Sequence, residues 1–107
     1  VTDVVEALGK AALQVATGAV NPGEVINLGH TEVLGLLQIA EIVVSRAGQS
    51  STVSCIPWPE ELARIDIGGF SGDYAKAHRL LNWTPQVAFA DGVEQALDFY
   101  RRNSWYL

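Results

Sequence analysis

Apolar positions along this chain recur mostly with the period of a helix. Val4, Leu8, Ala11, Ala12 and Val15 share one face of a segment that starts at Asp3 and stops at Thr17-Gly18, which predicts an amphipathic first helix. Asp3 and Glu6 have the spacing of a capping box, and Glu6 with Lys10 makes an i,i+4 pair on the opposite face. A second stripe of Val33, Leu36, Leu37, Ala40, Val43 and Val44 predicts a helix entered through Thr31 and closed by Arg46 and Gly48. A short helix follows Asp73, with Ala77, Leu80 and Leu81 inward, and ends at Asn82-Trp83-Thr84-Pro85. Asparagine tolerates the left-handed conformation at a helix end, and proline cannot continue the helix. After an extended connector, Asp91 and Glu94 repeat the capping spacing. Val93, Ala96, Leu97 and Tyr100 then line the last helix, and Arg101 and Arg102 complement its C-terminal dipole.

Two stretches break this period. Glu24-Val25-Ile26-Asn27-Leu28 and the β-branched run from Thr52 to Pro57 read as short strands. Between Trp58 and Gly72 lies an irregular stretch of a length that inside a compact domain usually carries function. Its residues Trp58, Leu62, Ile65, Ile67 and Phe70 argue against disorder. The expected fold is therefore a small mixed α/β domain, mainly helices with two or three short strands. Two short strands do not make a self-sufficient sheet. The chain also opens at the edge of a helix and contains no methionine. The expectation is a piece of a longer protein, whose sheet these strands extend.

Composition narrows the function classes. A chain of 107 residues, 49% of them hydrophobic, is one domain or part of one. Its net charge of −5 and lack of a basic run speak against nucleic acid or anionic lipid as a partner. The apolar stretches fall well short of a membrane span. Cys55, the single cysteine, cannot form an internal disulfide; it reads as a small hydrophobe buried in a strand, and a lone thiol fits a reducing cytoplasm. One cysteine and two distant histidines, His30 and His78, build no metal site. No glycine-rich turn follows a strand, the glycines at 68, 69 and 72 being a poor dinucleotide fingerprint. No Tyr-x-x-x-Lys occurs: Tyr74 and Lys76 are two apart and leave a helix on different sides.

Several ordered motifs nevertheless resemble one family. Val1-Thr2-Asp3-Val4-Val5-Glu6-Ala7-Leu8 is similar to the segment after the sixth Rossmann strand of extended short-chain dehydrogenases, and Val25-Ile26-Asn27-Leu28-Gly29 resembles their strand ending in Asn-hydrophobic-Gly. Asp73-Tyr74-Ala75-Lys76-Ala77 followed by Leu80-Leu81-Asn82-Trp83-Thr84-Pro85 resembles the family's Asp-x-x-Lys-Ala and Leu-Gly-Trp-x-Pro, with Asn82 in place of the usual glycine. Phe89-Ala90-Asp91-Gly92-Val93 and Tyr100-Arg101-Arg102-Asn103 resemble its Leu-x-Glu-Gly-Leu and closing Trp-Tyr-x-x-Asn. The ordered set covers nearly the whole chain. The family includes UDP-glucose 4-epimerases and nucleotide-sugar 4,6-dehydratases. The resemblance implies a C-terminal substrate-binding domain over residues 1–107, belonging to an NAD-dependent epimerase/dehydratase. NAD and the Tyr–Lys pair would reside in an N-terminal Rossmann domain outside this chain, so the chain alone is expected to be inactive. The matching motifs read as structural: Asp73 as a cap, Asn27 as a turn tie, Trp83 as a plug between the last two helices.

The resemblance points to Arg64 and Asp66 as the substrate-binding candidates. In the family an Arg-x-x-Asp precedes Asp-x-x-Lys-Ala, the arginine on the nucleotide-sugar diphosphate and the aspartate near the nucleoside. Here Asp66 stands seven residues before Asp73, but Arg64 is one position closer to Asp66 than the pattern has it. A guanidinium is a planar, two-pronged donor suited to phosphate oxygens. The alternative is an exposed ion pair with Glu60, Glu61 or Asp66. His30, at a turn after a strand, could face a ligand, and His78 reads as solvated. A non-catalytic nucleotide- or protein-binding module of the same fold stands as the second functional reading. In either case apolar faces meant for the Rossmann domain would promote self-association of the isolated chain.

Overall fold

The computed structural model describes residues 1–48, 51–66 and 68–106. Five helices run along the chain: α1 (Thr2–Ala16), α2 (Leu36–Ala47), α3 (Glu60–Ala63), α4 (Ala75–Leu81) and α5 (Phe89–Arg102), followed by a 3-10 turn over Ser104–Tyr106. Residues divide into two compact units, one made of 1–33 with 71–88, the other of 34–70 with 89–107.

The first unit is built on α1 and α4. Its core is Ala7, Val20, Ala77, Leu81 and Trp83, with Ala11, Ile26, Leu28, Tyr74 and Leu80 packed around them. Alanine at 7 and 77, the latter fully buried, lets the neighbouring backbone come close enough for the indole to fill the remaining space. Trp83 is 1% exposed. Its Nε1 donates to the Asp3 carbonyl at 2.9 Å, and the Tyr74 ring meets it edge-on at 6.1 Å. Its neighbours are thus α1 and α4, where the sequence suggested a plug between the last two helices. Asn82, the C-cap of α4, is left-handed at φ 48° and ψ 48°, the role expected for it in place of glycine. That turn is held from α1: the Lys10 ammonium donates to the Asn82 carbonyl at 2.8 Å and pairs with Glu6 at 2.8 Å.

The α/β expectation is overturned. Among the described residues there is no strand, and the regular structure is entirely helical. In the segment 24–28 burial still alternates, with Ile26 and Leu28 turned toward the core and Val25 and Asn27 exposed. A strand, however, is defined by pairing with another strand. Here the Val25 carbonyl accepts from the Lys76 ammonium instead, at 2.8 Å. Thr52 to Pro57 is exposed throughout, Cys55 included. That thiol is therefore not the buried strand residue its neighbours suggested.

Local boundaries shift for identifiable reasons. Helix α1 starts at Thr2 with no side-chain cap; the Asp3 carboxylate instead accepts from the backbone N–H groups of Gln86 and Val87, each at 3.1 Å. The stripe that α1 packs inward is Asp3, Ala7, Lys10, Ala11 and Gln14, while the expected core residues Val4, Leu8 and Val15 are exposed. Helix α2 begins at Leu36, not near Thr31, and the Gln38 carboxamide accepts the Gly35 N–H at 2.8 Å. This is the side-chain half of a capping box, which suffices where the N-cap is glycine. The second unit packs α2 against α5. Arg46 pairs with Glu94 at 2.9 Å, Arg101 reaches the Ala47 carbonyl at 3.4 Å, and α5 packs against the 3-10 turn through Phe99 and Tyr106. None of its described residues is fully buried.

Candidate functional site

The stretch from Pro59 to Asp66 is a single hydrogen-bonded turn. Pro59 is extended at φ −61° and ψ 131°. Its fixed φ and absent N–H suit a helix start, and its carbonyl accepts from Leu62 and Ala63. The Leu62 carbonyl then accepts from Ile65 and Asp66 at 3.1 and 3.0 Å. Arg64 lies at the C-cap of this turn, with φ −78° and ψ −22°. It is exposed, and no ion pair joins it to Glu60, Glu61 or Asp66 among the described residues. Asp66 is exposed too, and its Oδ1 accepts the Gly68 N–H at 3.0 Å, closing the turn beyond it. The two candidates thus occupy one short turn. Arg64 has its donors in solvent, and one Asp66 oxygen is committed to backbone.

The motif from Asp73 to Trp83 is a structural assembly. Asp73 Oδ1 accepts the Ala75 N–H at 2.7 Å, a turn bond that leads into α4; the N-cap itself is Tyr74, with no side-chain cap bond, so Asp73 is not the cap the sequence suggested. Lys76 pairs with Glu24 and holds the Val25 carbonyl, fastening the segment 24–28 to α4. The hydrogen bond and charge of Lys76 hold the Glu24 carboxyl below the usual carboxylate range. Gly29 passes so close to Gly72 that a Cβ there would collide with the Gly72 carbonyl. No sequence pattern marked Lys76 and Glu24 as a pair, because 52 positions separate them and only the fold brings them together. Asn27 is exposed and ties no turn through its side chain among the described residues.

The histidines divide as follows. His30 Nδ1 accepts the Glu32 N–H at 2.9 Å, which commits that nitrogen as an acceptor and makes the imidazole a turn element. His78 is exposed on α4 beside an open hollow of about 530 Å³ lined by Asp73, Tyr74, Ala75 and Thr84. Among the described residues no cluster of ligating side chains fits a metal ion, and no helix is long and apolar enough to cross a membrane. Glycines 68, 69 and 72 lie in irregular chain with no strand before them among the described residues. They do not form the strand–turn–helix cradle that a dinucleotide requires.

Comparison with known proteins places these features in context. No protein-family profile matches the chain, and no solved structure matches it. Over 96 residues, 88% of its length, the chain is 31% identical to a dTDP-glucose 4,6-dehydratase from Actinoplanes sp. (strain SE50/110), an extended short-chain dehydrogenase. The chain spans 29% of the length of that relative. The likeness supports the resemblance to the extended short-chain dehydrogenases that the ordered motifs carry, at the level of the family.

Proposed function

We propose that this chain is the C-terminal, nucleotide-sugar-binding part of an NAD-dependent sugar epimerase/dehydratase, with Arg64 as the contact to the substrate diphosphate and Asp66 toward its nucleoside end. The similarity to a dTDP-glucose 4,6-dehydratase carries the reading. The state of Arg64 supports it: a guanidinium at the end of a hydrogen-bonded turn, exposed, with no ion pair among the described residues. A charge-assisted, bidentate contact to phosphate oxygens is what such a group is built to make. In this reading NAD belongs to a Rossmann domain elsewhere in the protein, the chemistry is done there, and the residues described here bind and orient the sugar nucleotide.

The test is Arg64→Ala in the full-length protein. Losing a charge-assisted contact to a desolvated phosphate costs roughly 2 kcal/mol or more. The KM for dTDP-glucose should therefore rise about 30-fold or more, with NAD affinity unchanged. Unchanged affinity for the nucleotide sugar in that variant would remove Arg64 from the substrate site.

A further inference from the structure

His30 follows directly on an anchored segment. Ile26 and Leu28 pack on the core of the first unit, the Lys76 ammonium holds the Val25 carbonyl at 2.8 Å, and Gly29 lies hard against the Gly72 backbone. Beyond His30 the chain is different: residues 31–33 are exposed, lie outside any helix and end the first unit. A side chain closes this exit. His30 Nδ1 accepts the Glu32 N–H at 2.9 Å, and the same nitrogen stands 3.6 Å from the Glu32 carboxylate.

These two contacts ask for opposite states of the ring. A ring nitrogen accepts a hydrogen bond only while it carries no proton. Imidazole is the side chain whose charge changes between about pH 5 and 8. With a proton on Nδ1, His30 has no lone pair left for the Glu32 N–H, and two N–H groups point at each other. The carboxylate beside them then becomes the better partner, because an imidazolium N–H donates to a carboxylate in a charge-assisted bond. Of the charged groups on the neighbouring segments, Asp73 bonds the Ala75 N–H and Glu24 pairs with Lys76. Neither forms an ion pair with His30 among the described residues.

We infer that the turn from His30 to Glu32 is a proton-operated latch at the end of the first unit. With a neutral ring it is closed by the Glu32 N–H on Nδ1. With a protonated ring the backbone N–H is released and the ring holds the carboxylate instead. The closed form is thus present at the upper end of the histidine range and is lost as pH falls. Because Gly29 is fixed against Gly72, the rearrangement is taken up by residues 31–33.

The test is NMR of the 15N-labelled protein at about pH 8 and about pH 5, the ends of that range. At the upper pH the His30 ring should be the Nε2–H tautomer. The Glu32 amide, corrected for the intrinsic pH dependence of exchange, should be about fivefold less protected at the lower pH, the loss expected for one hydrogen bond. His30→Asn places an oxygen that does not titrate at the acceptor position, so its Glu32 amide should be equally protected at both pH values. His78→Asn, on exposed α4, should keep the parent's response. An Nδ1–H tautomer at the upper pH, equal protection of the parent at both pH values, or a parent-like pH response in His30→Asn each overturns the latch.

Discussion

The two units of this chain use their apolar residues in opposite ways. The unit of α1 and α4 closes on Trp83 and holds every fully buried residue among those described. The unit of α2 and α5 buries none of its described residues completely and leaves Leu36, Leu37, Phe99, Tyr100, Trp105 and Tyr106 exposed. The motifs that most resemble the family, from Asp73 to Trp83, lie in the first unit and act as packing, capping and fastening. The substrate-binding candidates Arg64 and Asp66 lie in the second, on an exposed turn. A motif is therefore a guide to the fold where its residues are buried, and a guide to function only where its polar groups are left to meet a ligand.

The sharpest way to break this contrast is Trp83→Ala. Removing a fully buried indole that also donates to the Asp3 carbonyl should cost about 3–5 kcal/mol, read as a shift of the urea unfolding midpoint. A loss below about 1 kcal/mol would mean the first unit is no more consolidated than the second. Gly29→Ala comes next: its Cβ meets the Gly72 backbone, which cannot swing aside like a side-chain end, so a destabilisation of about 1–3 kcal/mol is expected in the same measurement.

In the second unit the matching experiment should show little. The Arg46–Glu94 pair is exposed at both ends, so Arg46→Ala should change stability by less than about 1 kcal/mol, and the difference should shrink further in high salt. The smallest effect concerns acid. The Glu24 carboxyl is held low in the fold, chiefly by its hydrogen bond to Lys76 and then by that residue's charge. A group whose folded value is depressed contributes stability that is present above its unfolded value, near 4.5, and is lost as pH falls through the folded value. Unfolding midpoints compared at neutral pH and below pH 4.5 should thus fall slightly more for the parent than for Lys76→Met. Equal acid sensitivity would detach the pair from stability.

The sequence was most legible where structure is local. The helix over 2–16, its Glu6–Lys10 pair, the stop at Asn82 and the basic end of α5 follow from neighbours three or four positions apart, and the chain carries those neighbours wherever it goes. The strands were misread because β-branched residues state a preference, while a strand exists only when another strand supplies the hydrogen bonds. Lys76 took the Val25 carbonyl instead, and nothing within either segment announces that.

The amino-acid sequence by itself determined the four longer helices α1, α2, α4 and α5, where α4 must stop, and which residue types stand beside Arg64, whereas the short helix α3 lies in the stretch read as irregular. Tertiary structure alone decided which face each helix buries. On α1 the apolar stripe Val4, Leu8 and Val15 is exposed and the stripe through Ala7 and Ala11 faces Trp83, because close packing against an indole selects small side chains over large ones. It also decided that Asp3 would hold Gln86 and Val87 instead of capping its own helix. A carboxylate satisfies whichever N–H groups the fold brings within reach, and these lie more than 80 positions along the chain.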